Sequence, residues 1–449
     1  MIRLKEKIKT WLGPLWWYAA IIFCVQRFGD VINAFVGVWL VPRYVPQDEL
    51  GAVLPLIQVG SVLGLPLTIL IVPFTKFLNA YATRGEYGKV KRLLLDMFMF
   101  AGFLFLGIMI CTQFAMPFVF ERMRVAEGSL PLLIIASGVV GALSSVFVNA
   151  LQALKQFGLV AFANLLVAPV RLVTMLVCMP IRAISGFFAG QTAPSVMLIV
   201  VSLFGLRGRL GKSVRAEPYW RMDGRPIMRY TVLVAAALFF SLMQTLVESF
   251  VVRHRLSDMD SAGFYVLSRF AEMGAYSGMT FSIVLFPLAA ERHERGEGTR
   301  ALLWQTLMGV FILGGALVCV FHFFGRQLLG LSPVWSPYTG YATQLTLLAA
   351  VYVLRAGIQC FINYEMACGR FKFVSYLGLI AVGECVLLYG LTGYGFFEGL
   401  LPEKWVEWMA SVQAAQLDFV LRCMLWAVAL SVAGVGAHLA VRSRRGCHF

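Results

Sequence analysis

PLWWYAAIIFCVQRFGDVINAFVGVWL, Pro14 to Leu40, is an apolar run that ends at the charged, proline-punctuated string VPRYVPQDELG, Val41 to Gly51. A hydrocarbon core of roughly 30 Å is crossed by about 20 residues of helix, so the run is long enough to span a bilayer and the string is the exit from it. The same alternation of apolar run and polar break continues along the chain. Spans are expected at Pro14–Leu40, Gly51–Phe74, Leu93–Phe114, Leu130–Leu154, Leu159–Met179, Ala183–Leu206, Tyr230–Val252, Gly263–Ala290, Ala301–Phe324, Tyr341–Asn363, Phe373–Phe396 and Leu417–Val441. With 59% apolar and 14% charged residues over 449 positions, the chain has too little polar surface for a soluble globular protein of this length. The expected fold class is an all-α integral membrane protein with 12 transmembrane helices, multi-pass in the cell membrane.

Placing the N-terminus inside puts 25 of the 38 Lys and Arg on the cytoplasmic connections and ends, which predicts an N-in, C-in orientation. The densest of these segments holds Arg207, Arg209, Lys212, Arg215, Arg221, Arg225 and Arg229. A basic inner rim facing anionic membrane lipids accounts for the net charge of +15, and no nucleic-acid partner is needed to explain it. Met1 to Thr10 carries Arg3, Lys5, Lys7 and Lys9 like the charged start of a signal sequence. The apolar run after it is too long for a cleaved signal, so it reads as a retained signal anchor. Most of the nine Cys fall inside spans, no CxxC occurs and the five His do not cluster, so neither a metal site nor a cofactor is expected.

A repeat divides the chain. VPRYVPQDELG follows the first span, and RHRLSDMDSAG, Arg253 to Gly263, follows the seventh; Gly51 and Gly263 are 212 positions apart. RGE at Arg84–Glu86 recurs at Arg295–Glu297, again just after the second span of its half. The expected organisation is an N-terminal six-helix bundle (1–206), a basic cytoplasmic linker (207–229) and a C-terminal six-helix bundle (230–449). Because each half has an even number of spans, both insert the same way up, related by a pseudo-two-fold along the membrane normal.

Charges inside the spans carry the functional signal, because an ionised side chain at mid-bilayer costs about 2.5–3.5 kcal/mol unless it faces a partner or a wet cavity. In the first span Gln26, Asp30, Asn33 and Gly37 share one helix face, with Arg27 three residues before Asp30. This reads either as a self-contained ion pair or as a cavity wall. The eighth span repeats the chemistry with Arg269, Glu272 and Tyr276. Arg355 in the tenth span shares a face with Gln359 and Asn363, and Arg171 in the fifth follows Pro169 by two residues. Glu384 sits mid-span in the eleventh with no basic residue within a turn, which makes it a candidate proton-coupling carboxyl. Glu248, near the outer end of the seventh span, is expected to be solvated.

The exit string VPRYVPQDELG, the basic RGEYGKVKRLL after the second span, its counterpart in the second half, and LQALKQFGLVAFANLL (Leu151–Leu166) joining spans four and five together resemble the multidrug/oligosaccharidyl-lipid/polysaccharide (MOP) exporter superfamily. The specific likeness is to its polysaccharide flippase branch. That resemblance implies two bundles around a cationic cavity that moves a lipid-pyrophosphate-linked oligosaccharide across the cytoplasmic membrane by alternating access. It also implies a monomer that works with glycan-assembly proteins. Arg27, Asp30, Asn33, Arg269, Glu272, Arg355 and Gln359 would then line the substrate path, with Glu384 as the ion-coupling group. The first span reads RFGD where lipid II flippases have adjacent Arg and Asp, and the chain has two spans fewer, which points away from lipid II as substrate. The alternatives are a multidrug or cation antiporter of the same fold, an integral-membrane glycan polymerase or ligase, and a scaffold. A polymerase needs catalytic groups on a sizeable external loop. The longest here, Phe397–Gln416, offers Glu398, Glu403 and Glu407 and no His, so the chain is not expected to be an enzyme.

Overall fold

A computed structural model describes residues 27–123, 125, 130–154, 156–207, 224–294, 298–392 and 416–444. The signal-anchor reading, Gln26, most of the basic linker, the second RGE string, the Phe397–Gln416 loop up to 415 and both chain ends lie outside them. The N-in, C-in orientation is therefore left as the charge distribution gives it.

Every element among the described residues is helical. A leading helix covers 27–35, widens into a π-helical turn at Val36–Leu40 and closes with Val41–Tyr44; the short helix Gln47–Leu50 follows Pro46. Then come α1 (Val53–Arg84), α2 (Tyr87–Met123), α3 (Leu130–Ala153), α4 (Phe157–Cys178), α5 (Ala183–Arg207), α6 (Gly224–Arg255), α7 (Asp258–Glu294), α8 (Arg300–Gly330), α9 (Ala342–Ala367), α10 (Phe373–Thr392) and α11 (Gln416–Arg444). Eight helical stretches, on α1 to α6, α8 and α9, are long and apolar enough to cross a membrane. They coincide with eight of the expected spans. On α10 and α11 the described apolar stretches are shorter, Phe373–Val386 and Val420–Val435, so twelve spans remain the count expected from the sequence.

The outward faces are apolar. Phe103, Phe204, Leu379 and Trp426 are each at least 70% exposed. In water such surfaces would associate, whereas in lipid they are the required coat, since all backbone polar groups are satisfied inside each helix. The RGE string has a local structural job. Gly85 adopts φ +74°, and the Glu86 amide donates to the Tyr81 carbonyl, closing α1 with a left-handed glycine cap.

The chain forms two compact units. The first comprises residues up to Val36 together with Val59–Val232, and the second comprises Gly37–Gln58 together with Leu233–Phe449. In the first, α3, α4 and α5 pack on one another, and Leu67, Leu78, Ile135, Val146 and Leu151 form a core joining α1 and α3. Gly64 and Gly138 let α1 and α3 touch backbone to backbone: a Cβ on Gly64 would sit 2.5 Å from the Gly138 carbonyl oxygen. In the second unit α9 packs against α7, α8 and α11. There the exit strings of the two repeats lie against each other. Gln47 contacts Met259, a residue 212 positions on, and Gly51 packs directly onto Ser261.

Candidate functional site

The second unit gathers its charges around Arg355. Residues Gln244 and Glu248 on α6 are one helical turn apart and therefore share a face; Arg355 comes from α9 and Glu384 from α10. The Arg355 guanidinium grips Glu248 with both terminal nitrogens, Nη1 lying 2.7 Å from Oε2 and Nη2 in close contact with Oε1. The same Nη2 is 3.6 Å from Glu384 Oε1. Gln244 Nε2 donates to Glu384 Oε2 at 2.8 Å. Both carboxyl groups are buried. Two carboxyls thus share one guanidinium.

Two expectations change here. Glu248 is not a solvated group at a helix end; it is 1% exposed, because the helix carries it inward onto Arg355. Glu384 has no basic neighbour on its own helix, and tertiary packing supplies one. Gln244 was not singled out from the sequence. Its amide one turn before a carboxylate inside an apolar span was the available signal.

Beside the cluster is a small cavity lined by Ser241, Gln244, Thr245, Arg355, Gln359 and Ser431, with aliphatic side chains closing it. Gln359 donates to Asn363 Oδ1 at 3.2 Å, so the polar face expected on α9 is present and opens on this cavity. Arg269 and Glu272 pair at 2.8 Å, and the Arg269 guanidinium lies 5.3 Å from the Tyr265 ring centroid.

The first unit holds a different set. Arg27 Nη2 pairs with Asp30 at 3.1 Å, and Arg171 Nη1 on α4 donates to Asn33 Oδ1 at 2.8 Å. Close packing permits this, Gly29 lying against Ala168 of α4. Among the described residues no three His, Cys, Asp or Glu side chains are placed to hold a metal ion.

No protein-family model and no curated protein sequence matches the chain. Solved structures do. A multidrug resistance MATE family transporter of the MOP superfamily, in its inward-facing conformation, superposes with a TM-score of 0.64 at 13% identity, covering 96% of this chain and all of that one. The chain has the fold of the MATE transporters. A MATE protein in a bent conformation matches at 0.53 with 14% identity over 95% of each chain. A MOP superfamily transporter from Pyrococcus furiosus, described as having a binding pocket of reverse polarity that suggests a different function, also matches at 0.53, with 13% identity over 94% of each chain. At these identities the likeness fixes a multi-pass membrane architecture.

Proposed function

We propose that the chain is an ion-coupled exporter in the cell membrane, an antiporter that exchanges a proton at Glu248, Arg355 and Glu384 for an organic solute. The observation that carries this reading is the ratio of two buried carboxyls to one guanidinium. With both carboxyls ionised the cluster holds one net negative charge, and one proton makes it neutral. A buried site with two charge states one proton apart gives a gradient something to act on, and differential affinity between the two states is what couples ion to solute. The multidrug resistance transporter among the structural neighbours points to drug-like molecules as the solute class, and the surplus carboxyl of the cluster favours cationic ones. In proteoliposomes loaded with a fluorescent organic cation, an imposed pH gradient should drive efflux from the native protein and lose its effect in Glu384→Gln. An unchanged gradient response would remove Glu384 from the coupling.

A second reading, the flippase for a lipid-pyrophosphate-linked oligosaccharide, draws on the first unit, where Arg27 pairs with Asp30 and Arg171 donates to the neutral Asn33. Guanidinium groups bind phosphate oxygens in pairs and stay charged when dehydrated. Against it, Arg269 and Arg355 already have carboxylate partners. Surface glycan in a deletion strain complemented with Arg27→Ala or Arg171→Ala separates the readings. Loss of glycan favours the flippase, and normal glycan leaves the antiporter.

A further inference from the structure

Glu384 and the polar cavity are neighbours without being in contact. The Glu384 side chain is fully enclosed, with 0% exposure, and does not line the cavity; neither does Glu248. Two groups stand in both places. Arg355 lines the cavity and faces both carboxyls, and Gln244 lines the cavity and donates to Glu384 Oε2. A guanidinium does not give up its proton in a protein and cannot pass one on. Two further wall hydroxyls donate to their own helices, Thr245 to the Ser241 carbonyl and Ser431 to the Ala427 carbonyl. With Ser241 and Gln359 they make the wall polar enough for water to enter. Gln244 closes the short route from that water to the carboxyl.

We infer that Gln244 is a positioning residue that shuts Glu384 off from the polar cavity, and that a proton reaches the carboxyl from this cavity only when the amide swings aside. The inference rests on the coupling role proposed for Glu384 and adds the side of approach and the gate. Around Glu384 the titratable and charged groups are Glu248 on α6, Arg355 on α9, Cys385 on α10 itself and Cys423 on α11. Of these only Arg355 reaches the cavity wall. The amide is held by a hydrogen bond to a potentially charged acceptor, a bond worth enough that its removal should raise the open population by roughly tenfold or more.

The test is carbodiimide modification of the full-length protein in detergent, read by mass spectrometry at each carboxyl. The reagent adds to a carboxylic acid, taking its proton onto a carbodiimide nitrogen while the carboxyl oxygen bonds to the central carbon. The resulting O-acylisourea rearranges to a stable N-acylurea. A water-soluble carbodiimide should modify Glu384 about tenfold faster in Gln244→Ala than in the native protein, matching the lost hydrogen bond. Gln244→Met, which fills the same space but also loses the hydrogen bond, should rise by a similar factor; a rise in Gln244→Ala alone would mean that lost bulk opens the route, and overturns the hydrogen-bonded gate. Equal rates in native and Gln244→Ala protein overturn the gate, as does a general rise that includes Asp30 and Glu272, which would mean a loosened structure. Failure of the coupling role itself is read separately, as an unchanged gradient response in Glu384→Gln.

Discussion

The two units solve the problem of charge inside a membrane in opposite ways. In the first, Arg27 and Asp30 lie three residues apart on one helix and are 33% and 27% exposed, while Arg171 donates to a neutral amide, Asn33. In the second, three helices converge on one guanidinium, and the carboxyl groups around it are excluded from solvent. A pair formed along one helix exists as soon as the helix does. A cluster formed across helices exists only in the folded unit, and its net charge depends on a proton. The first arrangement suits holding a charge steady, and the second suits changing it.

The contrast is broken most severely at Arg355. Arg355→Met leaves two enclosed carboxyls without a counter-charge and should cost about 3–5 kcal/mol of stability, read as the unfolding midpoint in detergent. A loss below 1 kcal/mol would mean the cluster is hydrated and not a buried network. Next is Arg171→Met, which strands Asn33 and removes one charged hydrogen bond; it should cost about 1–3 kcal/mol in the same assay. Glu384→Gln removes the surplus carboxyl while keeping shape and hydrogen-bonding capacity, so stability should shift by no more than about 1 kcal/mol while the pH-gradient response disappears. That split between folding and transport would be the sharpest sign that the second cluster is there to titrate. Arg27→Met should do least, roughly 0.2–1 kcal/mol, because an exposed pair one turn apart contributes little. If it matched Arg355→Met, the two units would not differ as described.

Much of this was legible from residue order. Eight of the expected spans reappear as apolar helices because length and hydropathy are local properties. The pairs Arg27–Asp30 and Arg269–Glu272 form as their spacing of three requires. The RGE string marked a real helix end, since only a glycine readily takes the backbone angle found at Gly85. Less visible was the fate of Gly37–Gln58, which sits in the first half of the chain and packs within the second compact unit.

The sequence by itself determined that the chain lives in lipid, roughly where it crosses, and which charged side chains had to be accounted for inside. Only the tertiary structure decided that Glu248 turns inward, that Glu384 shares Arg355 with it, that Asn33 meets Arg171 and that Gln244 stands between a carboxyl and a cavity. The physical reason is range. Helix and span follow from hydrogen bonds and hydration within a few residues, whereas a buried charge is stabilised by whichever helix packs beside it. The residues concerned, 107 positions apart for Glu248 with Arg355 and 140 for Gln244 with Glu384, share no local pattern that would announce the meeting.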